Sequence, residues 1–287
     1  MKLRSNLFIA ALALLSSPAF AVCEFETTAG PLNLHSAGEV DPYLSALSGT
    51  VEIPIDPDCG LVYVDISAVT DALQRDASVI ETIPFVVSIA NAAKNTQGLW
   101  VIREDNRTDL QAIFTMMMNP NNPPRSGLYS QDISVEMFSD ADGQDRIDTT
   151  IENVFLTVDQ VMTISLSGTA GETLDLGELT PGQDKINDAM TLRAVSNDGY
   201  EVSFESDNGW ALELEVVGDG TYRIPYGVSV DGEAVSNASD TLARANATAS
   251  EGRAQRIRVV ARPEGNLRAG AYEDLITITI TGASTVP

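Results

Sequence analysis

Apolar residues in this chain recur mostly at every second position, in short runs broken by Gly, Asn and Asp. That period puts alternate side chains on opposite faces of an extended strand. In the first half Leu61–Ile66, Ile83–Ile89, Leu99–Ile102 and Leu110–Met116 read as strands, rich in β-branched and aromatic residues. In the second half Val161–Leu166, Met190–Ala194, Tyr200–Phe204, Trp210–Val217, Tyr222–Val230, Arg256–Ala261 and Leu275–Ile280 follow the same pattern. Asn197-Asp-Gly199, Gly218-Asp-Gly220 and Asp231-Gly232 have the composition of hairpin turns. One stretch departs from this period. Val69, Leu73 and Ile80, with Asp71 and Arg75 between them, predict a short surface helix within 66–80. Many short strands at regular intervals predict an all-β chain of the sandwich type.

The pattern also repeats. Arg125-Ser-Gly127-Leu-Tyr129, followed by Ile133, Val135 and Met137, returns 143 residues later as Arg268-Ala-Gly270-Ala-Tyr272, followed by Ile276, Ile278 and Ile280. Each copy reads as a Gly-bearing turn, an aromatic, and a strand with one apolar face. The offset is about one domain length, so two tandem β-sandwiches are expected. Ser139 to Thr150 is polar and turn-prone, which places the boundary there: 1–21, then a first domain over 22–150 and a second over 151–287. Just past it Val154, Leu156 and Val158 alternate, and this segment is a candidate closing strand for the first domain. Only seven residues follow Ile280, which leads us to expect that the second sandwich lacks its last strand.

Residues 1–21 have the plan of an export signal: Lys2 and Arg4, an apolar core from Leu7 to Leu15, and the small-residue site Ala19-Phe20-Ala21. The apolar core is too short to span a bilayer. There is no second long apolar stretch, so no stable membrane insertion is expected. Removing 1–21 leaves 15 basic against 41 acidic residues and a net charge of −26. Such a chain is a poor match for nucleic acid phosphates and for anionic membrane surfaces. The acidity fits solubility outside the cell. In an exported chain Cys23 and Cys59 are expected to form one disulfide. A reactive thiol pair is the alternative, although the close spacing of such pairs is missing.

Candidate chemistry is sparse. His35 is the only histidine, which leaves no material for a His-based triad or a multi-His metal site. No carboxylate pair stands out as glycosidase machinery among so many acids. Asp140, Asp142 and Asp145 around Gly143 resemble a fragment of a calcium loop, against the simpler reading of a solvated linker. Met116, Met117 and Met118, running into Pro120, are either an exposed apolar loop suited to gripping surfaces or a core-packing strand end. Trp100 and Trp210 read as core residues or glycan contacts, and the sequons at Asn106, Asn237 and Asn246 as incidental. We expect no enzymatic activity and no cofactor.

Gly270-x-Tyr272-x-Asp274 with its alternating Ile and Thr resembles the end of a spore coat protein U type domain, as found in subunits of archaic, Csu-type chaperone–usher pili. Upstream, Ile224-x-Tyr226 with Asp231 resembles the central string of those domains. The resemblance covers about residues 161–287, and the first half shares only Gly127-x-Tyr129 and its strand. It implies an immunoglobulin-like, pilin-type sandwich with a groove in place of its last strand. Tyr272, Ile276, Ile278 and Ile280 would line that groove. It also implies a periplasmic chaperone, an outer-membrane usher, and a neighbouring subunit that fills the groove with its own donor strand. Val154, Leu156 and Val158 would serve the first domain as an internal donor. Cys23 falls so early in the exported chain that no free donor arm is expected, which points to a two-domain tip adhesin at the cell surface, acting in attachment or biofilm formation. A shaft subunit, or a self-contained carbohydrate-binding sandwich, are the alternatives.

Overall fold

The computed structural model describes residues 23–25, 32–34, 40–52, 55, 59–75, 78–103, 111–168, 173–216, 220–235 and 241–283. Residues 1–21, His35 and the sequons at Asn106 and Asn237 lie outside them. Every regular element among the described residues is a strand. The buried apolar side chains gather in two cores, one drawn from residues between Phe25 and Val158, the other from residues between Met162 and Ile280.

The first lobe holds β1 (Leu32–Asn33), β2 (Ala46–Glu52), β3 (Val62–Ala68), β4 (Ala72–Arg75), β5 (Ser78–Ile89), β6 (Ala93–Lys94), β7 (Trp100–Ile102), β8 (Gln111–Met117), β9 (Gly127–Phe138) and β10 (Arg146–Val158). They run in the order β2-β8-β5-β4-β9-β3-β7-β6, with β10 on the other edge of β9 and β1 parallel to β10. Strand β5 turns the sheet back on itself. Its first part pairs with β4 and its last part with β8, and the change falls at Pro84–Phe85. A proline has no N–H to give to a ladder and suits such a corner. The fold-over brings Phe114 and Met116 of β8 into one core with Tyr129, Met137 and Leu156.

The helix expected within 66–80 does not form. Residues 66–80 hold the end of β3, a turn with Val69 exposed, β4, and the start of β5. Val69 and Leu73 share a helical spacing, but Leu73 points inward opposite Ile83 while β9 takes the other edge of β4. Pairing with distant strands overrides a local periodicity of this length. The expected linker at 139–150 is likewise no linker. It is the tip of the β9–β10 hairpin, closed by Asp140 Oδ1, which accepts the Gln144 and Asp145 amides at 3.0 and 2.9 Å. Turn chemistry and linker composition look alike. Val154, Leu156 and Val158, beyond the expected boundary at 150, are all buried in the first core, and the next strand begins at Met162.

The second lobe holds β11 (Met162–Ser167), β12 (Lys185–Asn187), β13 (Thr191–Ser196), β14 (Tyr200–Ser206), β15 (Ala211–Val216), β16 (Gly220–Val230), β17 (Glu233–Ala234), β18 (Thr241–Arg244), β19 (Arg253–Ala261) and β20 (Ile276–Gly282). One sheet runs β11-β13-β19-β16-β15, with β12 on β19 and β17 on β16. The other is β18-β14-β20. Asp231 and Gly232, with φ of 51° and 88°, make the tight turn from β16 to β17 expected of that dipeptide. Asn197–Gly199 is not a hairpin, since β13 and β14 belong to opposite sheets. It crosses between them and joins the lobes. The fully buried Asn197 accepts the Val161 amide at 2.8 Å and donates to the carbonyls of Asp159 and Pro124 at 3.0 and 3.2 Å. Ser126 Oγ donates to Asp198 at 2.7 Å, and the Ser250 amide donates to the Pro120 carbonyl at 3.0 Å.

Candidate functional site

The two copies of the repeat start alike. Tyr129 donates its hydroxyl to the Arg125 carbonyl, and Tyr272 to the Arg268 carbonyl, each at 3.0 Å. A phenol reaching four residues back pins the turn that launches the strand, a device seen at sandwich corners. Gly127 has φ of +143°, which a side chain would strain, and at Gly270 a Cβ would meet the Leu214 methyls at 2.7 Å. Burial pushes the Tyr129 phenol up to about 12, with the Arg75 charge pulling the other way, so it stays a neutral donor.

Beyond the turn the copies diverge. Strand β9 is paired on both edges, and Tyr129, Ile133, Val135 and Met137 are at most 2 % exposed. Strand β20 pairs only with β14 among the described residues, and Ile276, Ile278 and Ile280 are merely half-buried between exposed threonines. Facing this edge is β11, the rim of the opposite sheet, whose Met162, Ile164 and Leu166 show the same half-buried alternation. Two apolar strands thus border one opening, and neither is fully covered.

The backbone of β20 is turned toward the same opening. The Ala283 amide bonds the Gly199 carbonyl, and the Asp207 amide bonds the Leu275 carbonyl, each at 3.0 Å. In an antiparallel ladder alternate residues direct their N–H and C=O away from the partner. By that register the outward groups are those of Ile276, Ile278 and Ile280, the residues whose side chains line the gap. At its start the edge leads into a concavity of about 840 Å³ between 173–179 and 267–274, with Leu174, Leu176, Leu179, Leu212, Leu267 and Tyr272 among its lining. Such an edge is a template for one more strand.

The strings that carry the spore coat resemblance meet beside this edge. Tyr226 donates its hydroxyl to Asp274. Asp274 also accepts Ser206 Oγ at 2.6 Å and the amides of Asn208 and Leu275 at 3.0 and 2.8 Å. Its carboxylate therefore ties the β14–β15 turn and β16 to the entry of β20. Burial first, and Asp274 second, push the Tyr226 phenol above its ordinary range. Trp210 stands edge-on to Tyr226 at 6.0 Å, packed against the second core. In the first copy Asp132 lies on the exposed face of β9 and accepts the Asn153 amide group at 2.8 Å, so it is not the counterpart of Asp274.

The remaining candidates are distributed as follows. Cys23 and Cys59 are joined, with Cα atoms 5.0 Å apart. Val154, Leu156 and Val158 pair with β9 opposite Gln131, Tyr129 and Gly127 and are fully buried, so β10 covers an edge of β9, whereas among the described residues no strand covers the corresponding edge of β20. The methionine stretch is not an exposed apolar loop: Met116 and Met118 are buried, only Met117 points out, and Pro120 contacts the second lobe. Strand alternation continues through the run and turns every second methionine inward. Asp140 and Asp145 spend their oxygens within the hairpin tip, on the Gln144 and Asp145 amides and on Ser139 Oγ, and no cluster able to hold a metal occurs among the described residues. Trp100 packs against the first core under Lys94. The opposite wall, Met162, Ile164 and Leu166, and the leucines at 174, 176 and 179 escaped the sequence reading as site residues. Their alternation was visible, but nothing local shows which strand faces which.

In overall shape the chain is similar to several solved structures. The CsuC–CsuE chaperone–tip adhesion subunit pre-assembly complex from archaic chaperone–usher Csu pili of Acinetobacter baumannii matches over 81% of this chain and 91% of that one, at 12% identity and a TM-score of 0.39. CfaE, the adhesive subunit of CFA/I fimbria of enterotoxigenic Escherichia coli, matches over 91% and 95%, at 12% identity and 0.40. The CssB subunit complemented with a donor strand from CssA, of the enterotoxigenic Escherichia coli colonization factor CS6, matches over 45% and 94%, at 17% identity and 0.29. Likeness at these scores carries no argument about function. No protein-family model and no curated protein matches the chain. Among the described residues no helix is long and apolar enough to cross a membrane.

Proposed function

We propose that this chain is a non-catalytic subunit of an exported surface fibre, and that its second lobe is completed by an extended strand from another polypeptide. The carrying observation is the contrast between the repeats. The same strand is buried under β10 in the first lobe and stands open, with half-buried isoleucines, in the second. Strand β10 also supplies the chemistry of the occupant: alternate aliphatic residues, as in Val154, Leu156 and Val158, on a backbone that pairs with the edge. In this reading a periplasmic chaperone fills the gap first, and after passage through an outer-membrane usher the donor strand of a neighbouring subunit replaces it.

The tip of the fibre is the position we propose, with the first lobe gripping a surface or receptor in attachment or biofilm formation. Support comes from residues 23–25. Cys23 is bonded to Cys59, Phe25 is bridged to Ile55, and the Phe25 amide donates to Asp148 at 2.8 Å. A stretch held this way is no free donor arm. The test is expression of the full chain alone and with a copy of 150–158 fused behind a flexible linker after residue 287. The proposal expects association or aggregation of the bare chain and a soluble monomer from the fusion. A bare chain that is monomeric, and no more stable when fused, overturns it.

A further inference from the structure

The opening beside β20 has two unlike ends. At the start of β20 it widens into the leucine-lined concavity. At the other end the inward row Ile276, Ile278 and Ile280 runs on to Gly282, the next position on the same face. The backbone does not ask for glycine there, since the φ of Gly282 lies outside the left-handed region. The space does: a Cβ at 282 would meet Gln160 Oε1 at 2.6 Å, Nε2 at 2.9 Å and Cδ at 3.1 Å. The Gln160 amide group therefore stands where the fourth side chain of the row would be. The opposite wall ends at the same place, because β11 begins at Met162.

Gln160 is held in that position. Its Nε2 donates to the Gly199 carbonyl at 3.4 Å, and the same carbonyl accepts the Ala283 amide at 3.0 Å. The residues on either side of it are tied to the buried Asn197, Asp159 through its carbonyl at 3.0 Å and Val161 through its amide at 2.8 Å. Gln160 is nevertheless exposed, and its Oε1 accepts no hydrogen bond among the described residues. A polar amide in reach of an incoming chain thus closes a row of three isoleucines.

Alternation alone leaves the register of an incoming strand open in one respect. A slip of one residue turns its aliphatic face away from the core, and burial excludes it. A slip of two keeps the face and moves each side chain along by about 7 Å. We infer that Gln160 excludes the second slip: its amide group is the end stop of the opening and makes the fourth inward position of the incoming strand a polar one. This rests on the reading of β20 as a strand acceptor. An aliphatic residue at that position would strip water from the amide and return no bond, whereas a polar side chain can meet its donor and its acceptor. The segment 150–158 has the matching pattern. Laid antiparallel on β20, as β10 lies on β9, with Val158, Leu156 and Val154 opposite the three isoleucines, it brings Glu152 to Gly282 and Gln160.

Fluorescein-labelled peptides copying 150–158, titrated with the dilute full chain and followed by anisotropy, test the end stop. The unaltered peptide is expected to bind the parent about fivefold or more tightly than a peptide carrying Glu152→Leu. In Gln160→Ala, a change at an exposed residue outside both cores, the order should invert, with the leucine peptide about threefold or more the tighter. A parent that prefers the leucine peptide, or a preference that Gln160→Ala leaves unchanged, overturns the end stop while the fibre reading stands. If neither peptide binds the parent, the fibre reading fails and the end stop fails with it.

Discussion

Shortening Ile278 to alanine should cost little in the bare chain and much more once a strand covers β20. Complete burial of an isoleucine side chain is worth about 1.5–3 kcal/mol, and Ile278 sits half-buried in a wall with one side missing, so about 1 kcal/mol is at stake. With a strand in place the side chain becomes an ordinary core residue, and the same truncation should cost about 2–5 kcal/mol through lost transfer and the cavity it leaves. Leu156 is the internal control. It is fully buried under its own lobe, so Leu156→Ala should cost about 2–5 kcal/mol in either state. Each lobe contains one tryptophan, Trp100 in the first and Trp210 in the second, so urea unfolding followed by fluorescence in Trp100→Phe and Trp210→Phe backgrounds reads the lobes separately. The comparison is made with and without the fused 150–158 segment. If Ile278→Ala costs the same in both states, the edge is already closed and the reasoning fails.

Other consequences concern the scaffold. The Tyr129 phenol sits at about 12 in the folded chain against an ordinary 10, so its stabilisation is complete below pH 10 and disappears as the pH rises through 12. Urea midpoints measured across that window should fall by the equivalent of roughly 3 kcal/mol more in the parent than in Tyr129→Phe. Replacing Cys23 and Cys59 together by serine opens a loop with a sequence separation of 36 and should cost the first lobe about 4 kcal/mol in thermal or urea unfolding, with the second lobe unchanged. Asn197→Ala removes three buried hydrogen bonds from the joint between lobes. It should cost about 2–3 kcal/mol and make 159–161 more readily cut in limited proteolysis than in the parent.

Much of this structure was legible from residue pattern alone, because a period of two both forms a strand and decides which face is buried. The strand nature of β9, β10, β14, β16 and β20 follows from their alternation, and the tandem design from the shared Arg-x-Gly-x-Tyr spacing. What alternation leaves open is the partner. Asp140 to Asp145 carries the same turn residues as a linker, and only the burial of Val154, Leu156 and Val158 assigns it to a hairpin of the first lobe. Asn197-Asp-Gly199 has hairpin composition, yet it crosses between sheets because β13 and β14 find other neighbours. The spacing of Val69 and Leu73 was equally local and equally misleading. For the site, Ile276, Ile278 and Ile280 were readable as one wall, whereas Met162, Ile164 and Leu166 face them only through the way the sheets stack.

Amide hydrogen exchange along β20 addresses the open edge most directly. In the bare chain the amides of Ile276, Ile278 and Ile280 should exchange rapidly, while those of Thr277, Thr279 and Thr281, bonded toward β14, are protected. Supplying the strand should protect all six. Uniform protection along β20 in a chain without any added strand would mean that another part of the molecule already seals the edge, and would contradict the account.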